Sequence, residues 1–328
     1  MGYRPYNMMR DRIARLLAVD VPKKVWKADR NGYMGYVIRQ MLSGPNMLQT
    51  MDASIIADEE SYVNDGCRMV FPETPALLEM LWRAKMEVNL DDFDMSRVPR
   101  IFSIAWPDCK IDGVEMQGCL VAIDNTAHRR EEIKKFGMKY FNYPLGLVNA
   151  GNTDDDELGV HISYFDGEGA MGTPMPFAYR VALPNAFLKA CLKSEGDFES
   201  FIGSFKNLGI VGVLDMSDEE KHQQFVISKM VVHLLVYMQA CYESLRFGYP
   251  TPKGDRCYRS SFSGDVHGSV IGVPDALKGE HASPSTHWRT WHFRSYPMRK
   301  DGSKRKGIVA VKGTIVNAEV DPVTAEAR

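Results

Sequence analysis

The sequence predicts an α+β fold: a mainly antiparallel sheet packed with helices and joined by a basic C-terminal β-hairpin. Three observations carry this expectation. From Arg100 to Asp124, short apolar runs alternate with Pro107-Asp108 and Asp112-Gly113, the pattern of antiparallel strands joined by tight turns. Ser217-Asp218-Glu219-Glu220 is a capping box in which the serine hydroxyl accepts from the backbone three residues on while the glutamate reaches back, so a long helix should follow. Near the C-terminus, His287 to Tyr296 and the β-branched run Gly307 to Asn317 flank a basic turn, as the two arms of a hairpin would.

Taken in order, Tyr6 to Val19 carries Met9, Ile13, Leu16 and Leu17 at helical spacing, and a basic segment follows through Lys23, Lys24, Trp26, Lys27 and Arg30. Residues 1–70 thus read as a helical arm and connection. Thr74-Pro75 opens a helix whose Leu77, Leu78, Leu81 and Trp82 share a face, with proline at an early helical position. A strand is expected from Leu158 to Phe165. The helix after Ser217 should reach Leu245, its stripe of Ile227, Met230, Val231, Leu234, Leu235, Met238 and Cys241 lying against the sheet. His233 in that stripe reads as a core or boundary histidine. Residues 71–250 form the α+β core, and 251–328 supply an exposed, Gly/Ser/Pro-rich connection from Gly254 to Ser285 and then the hairpin that completes the core.

A 328-residue chain with 25% charged residues and a net charge of -2 is an ordinary globular composition, so any polyanion contact must come from a local patch. Six scattered cysteines without a C-x-x-C pair give no zinc-knuckle spacing and fit a reducing, intracellular setting. No apolar run reaches the roughly 18 to 20 residues of a membrane span. Gly167 to Gly172 lacks both the phosphate-loop ending and the dinucleotide fingerprint, and reads as a flexible connection. Asp91-Asp92-Asp94 and Asp154-Asp155-Asp156 have no further ligand at a recognisable spacing and read as solvated acidic loops. No metal and no cofactor is expected.

The chemistry-bearing residues concentrate in the hairpin. At strand geometry His287, Arg289 and Trp291 share one face, and Trp288, Thr290, His292 and Arg294 the other. Lys304, Arg305 and Lys306 charge the turn. Rings and guanidinium planes stack on unpaired bases while lysines meet phosphate, so RNA is the natural ligand for this set. Catalysis by two histidines on one phosphate needs them to converge. His287 and His292 have opposite parity, which favours binding over a metal-independent ribonuclease; no catalytic residue is assigned. A second surface is expected for a basic peptide, with Asp154, Asp155 and Asp156 steering and Trp106, Tyr164 and Phe165 offering apolar anchors.

The spacing His287-x-Arg289-x-x-His292, the preceding Pro284 and a closing strand ending Val316-Asn317 resemble the C-terminal signature of a phage-encoded family of type V-A anti-CRISPR proteins. Ile101-Phe102-Ser103, Trp106-Pro107-Asp108-Cys109 and Gly118 to Asp124 resemble its central strands, and Thr153 to Asp156 and the apolar Val231 to Leu245 running into Gly248-Tyr249-Pro250 follow in the same order. Phe293 stands where that pattern has tryptophan.

The resemblance implies a host-defence inhibitor, without a bound cofactor, acting in the cytoplasm of an infected bacterium. Its activity would be to recognise the nascent N-terminal peptide of the type V-A effector nuclease and lower that nuclease's expression through loss of its message. The alternatives are an RNA- or ribosome-associated interaction protein of the same fold with another target, the C-terminal signature then binding RNA or building a homodimer, and third the ribonuclease.

Overall fold

The computed structural model describes residues 68–72, 74–94, 97–104, 106, 109–116, 118–125, 158–164, 179–207, 216–242, 245–247, 258–260, 264–266, 268–271, 287–288, 291–303, 305, 307–311 and 315–316. The N-terminal arm and Gly167 to Gly172 lie outside these residues.

Strand β1 (Met69–Pro72) leads into helix α1 (Pro75–Arg83), which Thr74 caps by accepting from the Leu77 amide at 3.2 Å. Strand β2 (Lys85–Glu87) follows directly. Next come β3 (Ile101–Ile104), the small hairpin β4 (Lys110–Ile111) and β5 (Val114–Glu115), and then β6 (Cys119–Asn125) and β7 (Leu158–Tyr164). Asp112 and Gly113 take φ of 50° and 81° in the β4–β5 turn, the two left-handed positions that a two-residue hairpin loop requires.

Strand β8 (Tyr179–Ala182) precedes α2 (Asn185–Cys191), α3 (Phe198–Asn207) and the 23-residue α4 (Asp218–Ala240). Strands β9 (Leu245–Phe247), β10 (Tyr258–Ser260), β11 (Gly264–Val266), β12 (Gly268–Ile271), β13 (His287–Trp288), β14 (His292–Ser295), β15 (Ile308–Val311) and β16 (Ile315–Val316) complete the described chain.

The class is α+β with antiparallel pairings predominant. The main sheet has seven strands in the order β8-β7-β6-β3-β1-β12-β9. Its β8-β7-β6-β3 half is antiparallel, while β1 runs parallel to both β3 and β12. The stretch Gly254 to Ser285, read from sequence as a connection, thus contributes an interior strand. Among the described residues the C-terminal strands pair outside this sheet, where the sequence predicts a common one. Instead β14 pairs antiparallel with β15 and parallel with β2, making a separate three-stranded sheet. The reason is the apolar row Met86–Phe293–Ala310, two of whose members are fully buried, which needs a hydrophobic partner of its own.

That partner is α4. The Ser217 capping box forms, with the Glu220 amide 3.2 Å from the Ser217 hydroxyl and the Ser217 amide 2.8 Å from the Glu220 carboxylate. Every residue from Gln224 to Gln239 except Lys229 is buried, so the helix has no solvated face there and lies between α1, α2 and α3 and the small sheet. A helix apolar all round is an interior element. It ends at Ala240 rather than Leu245, and Arg97 reaches the Gln239 carbonyl at 3.4 Å while the Asp94 amide donates to the Gln239 side chain at 2.9 Å. The acidic run Asp91-Asp92-Asp94 is therefore not a solvated loop: Asp92 is buried and Asp94 pairs with Arg97 at 3.3 Å, closing the C-terminal end of α4. No helix among the described residues is long and apolar enough to cross a membrane.

Candidate functional site

The C-terminal strands divide their residues by parity. Phe293 is fully buried, edge-on to Tyr237 of α4 at 6.0 Å, and Trp291 stacks on it at 6.2 Å with 20° between the rings. Trp291 is thereby partly buried and packed against the core. His292 and Arg294 take the opposite face. Across the sheet this outer face reads Lys85–His292–Val311 in one row and Glu87–Arg294–Val309 in the next.

Glu87 links the rows. Its carboxylate meets Lys85 at 3.0 Å and the His292 ring at 3.1 Å. The hydrogen bond from Lys85, with smaller contributions from the charges of His292 and Lys85, holds the Glu87 carboxyl below the usual carboxylate range. His292 Nε2 lies within ion-pair distance of this carboxylate, without the alignment of a well-formed hydrogen bond.

Beyond β14 the chain makes a tight turn. Gly302 donates to the Arg299 carbonyl at 3.0 Å and takes φ of 78°. Asp301 accepts from the Ser303 amide at 2.9 Å and the Ser303 hydroxyl at 2.6 Å, and these bonds hold its carboxyl below the usual range. The one acidic side chain of the tip is thus spent on the turn. Arg294, Arg299, Lys300 and Arg305 are exposed, and the Arg305 guanidinium lies 4.6 Å over the Tyr296 ring. Gly307 sets that ring: its φ is 127°, and a Cβ there would lie 3.2 Å from Tyr296. Met298, 69% exposed, adds an apolar group at the same end.

Of the other sequence-predicted residues, His287 and Trp288 pair through their backbones with Val316 and Ile315 on β13 and β16, a second ladder after a break in the first. Arg289, Lys304 and Lys306 lie outside the described residues, as do Asp154, Asp155, Asp156 and Phe165. Trp106 is half-buried against the core, its indole N–H enclosed without a well-formed hydrogen bond, though near enough to the Cys119 thiol to influence it. Tyr164 pairs through its backbone with Cys119, and Ile104, two residues before Trp106, is the other neighbour of Cys119. Trp106 and Tyr164 therefore belong to the same end of the main sheet.

Three arrangements escaped sequence reasoning. One is the Lys85–Glu87–His292 bridge, invisible because β2 and β14 are about two hundred residues apart in the chain. A second is a buried row on the main sheet, where Ser103, Ser163 and His161 share a face with Leu120 and Ala122. The third surrounds Lys229. Among the described residues no group of three or more His, Cys, Asp or Glu side chains could hold a metal ion. No protein-family profile and no curated protein matches this chain.

Proposed function

We propose that this chain is an anti-CRISPR-like binding protein that lowers production of the type V-A effector nuclease during translation, and that the outer face and tip of its C-terminal sheet supply the contact to RNA. The observation supporting the RNA contact is the set of exposed cations Arg294, Arg299, Lys300 and Arg305, next to which the sole tip carboxylate is consumed by its own turn. Arg305 over Tyr296 adds a planar cation backed by a ring, suited to stacking on an unpaired base. Recognition of the nuclease's nascent peptide rests on the family resemblance and on the acidic and aromatic residues Asp154 to Asp156, Trp106, Tyr164 and Phe165.

A second reading, an RNA- or ribosome-associated protein with another target, draws on the same cations, since they require only a polyanion. Ribonuclease action is the third reading. Anisotropy titration of labelled single-stranded RNA over a salt series tests the RNA contact. Neutralising the four cations should flatten the slope of log affinity against log salt by roughly 0.7 for each phosphate no longer neutralised, about 3 in all. Unchanged affinity and slope would reject this surface. Pull-down from cells translating the type V-A nuclease should recover its nascent N-terminal peptide; recovery of RNA without that peptide would favour the second reading. The purified chain should leave a messenger RNA intact.

A further inference from the structure

The outer face of the small sheet carries an anion among its cations. Alternation places Lys85 and Glu87 of β2, His292 and Arg294 of β14, and Val309 and Val311 of β15 on that face, and of these only Glu87 is acidic. A carboxylate repels phosphate, so on a surface that meets a polyanion it weakens the contact unless another part of the ligand uses it. The fold does not depend on this charge. Glu87 is half-exposed, and exposed ion pairs contribute little to stability.

Its geometry is that of an acceptor held open to solvent. Lys85 Nζ lies 3.0 Å from Oε1 and His292 Nε2 lies 3.1 Å from Oε2, one cation to each oxygen. An ionised carboxylate has about four lone-pair sites, so each oxygen keeps capacity for a further donor. Held below the usual carboxylate range, the group is ionised at neutral pH and can only accept. Arg294, its register partner, makes no ion pair among the described residues, which leaves the guanidinium free for a phosphate. Beyond Arg294 and His292, Val309 and the exposed Val311 present methyl groups against which a base ring can lie.

We propose that Glu87 makes the RNA contact selective for an unpaired guanine, its two oxygens accepting from the guanine N1–H and the 2-amino group while Arg294 takes a nearby phosphate. This inference rests on the RNA reading above. Guanine is the base whose Watson–Crick edge sets two donors side by side. Adenine and cytosine place a ring-nitrogen acceptor next to their amino group, and uracil has a single N–H between two carbonyls. Against any of these three, one carboxylate oxygen faces a lone pair instead of a proton. Unpaired bases expose this edge and a duplex hides it, so the selectivity belongs to single strands. Lys85 and His292 act as positioning residues that fix the carboxylate.

The test is anisotropy titration of the full chain against labelled oligouridine strands that carry guanosine, inosine, adenosine or uridine at one central position. The guanosine strand should bind roughly fivefold or more tightly than the adenosine and uridine strands, the low end for a bidentate base contact. Inosine keeps N1–H but lacks the 2-amino group, and should fall between. Glu87→Gln, whose amide offers one acceptor and one donor, should abolish the guanosine advantage. If Glu87 serves only to order Lys85 and His292, the variant will shift all four strands together and the advantage will survive, which would overturn the proposal. A native chain that binds all four strands alike would overturn it too, while leaving the RNA contact standing. Failure to bind any strand would reject that contact and this inference with it.

Discussion

Phe293→Ala probes whether the C-terminal sheet shares one core with α4. Phe293 is fully buried, flanked in its row by Met86 and faced by Tyr237, both of them fully buried as well. Large-to-small changes at buried phenylalanines cost about 3–5 kcal/mol, the upper end applying where the cavity cannot collapse. Here its walls belong to β2, α4 and the stacked Trp291, so about 4–5 kcal/mol is expected. Phe293→Leu, which retains most of the volume, should cost less than about 1.5 kcal/mol. Urea unfolding followed by tryptophan fluorescence and by far-ultraviolet circular dichroism measures both. With Trp26, Trp82, Trp106 and Trp288 replaced by phenylalanine, Trp291 reports on the small sheet and the dichroism on the helices, and in that single-tryptophan chain the two curves should coincide. A loss under about 1 kcal/mol for the alanine variant would refute the shared core. Fluorescence changing at lower urea than dichroism in the single-tryptophan chain would do so too, by showing that the hairpin leaves without the helix.

Ser217→Ala removes the acceptor for the Glu220 amide and should cost about 1 kcal/mol in thermal or urea melts. His233 is buried and pulled down to about 4 mainly by desolvation, its Nδ1 2.7 Å from the Leu81 carbonyl. Because its folded pKa lies below the unfolded value of about 6.5, the unfolded chain binds the extra proton, and stability should fall by about 3 kcal/mol as pH drops from about 6.5 to 4. His233→Gln should flatten that slope in urea midpoints measured across the window; an unaltered slope would remove His233 as its source. Gly307→Ala forces a side chain into a φ of 127° and against Tyr296, a strain of about 1–3 kcal/mol that should loosen Arg305 and weaken RNA binding, as anisotropy would register.

What the sequence disclosed was local. The helix start at Thr74-Pro75, the Ser217 cap and the Asp112-Gly113 turn each depend on residues within four positions, and each forms. Strand β2 was illegible because three residues with an alternating pattern carry too little signal to name a partner. Its pairing with β14, like that of β1 with β12, is decided by which apolar rows remain unburied once the intervening chain has folded. The stripe expected on α4 underestimated its burial for a related reason. From Gln224 to Gln239 only Ser228, Lys229 and His233 interrupt the apolar run internally, and that density already describes a helix enclosed on all sides. At the hairpin, parity alone separates Trp291 and Phe293 from His292 and Arg294, and the hydrophobicity of Phe293 tells which of the two faces turns inward. The surroundings of Lys229 had no local signature, since Trp82 comes from α1 while Asp112, Asp197 and Cys191 act on it at longer range from three other segments.

If the proposed RNA contact is made, the division of the hairpin into an inner apolar face and an outer charged one bears on how tightly it would hold a flexible strand. Association with a single strand of RNA already pays for ordering the strand, so a protein surface that must also be ordered binds more weakly for the same contacts. Arg294 sits on a strand whose neighbouring residue, Phe293, is fixed in the core, and Glu87 and Lys85 lie on the adjacent strand of the same small sheet. Arg305 is steadied by Tyr296, and the turn between them by Asp301 and Ser303. These cations are therefore held near a common surface before any ligand arrives, and it is the burial of Phe293 against Tyr237, remote from the charges themselves, that keeps them there.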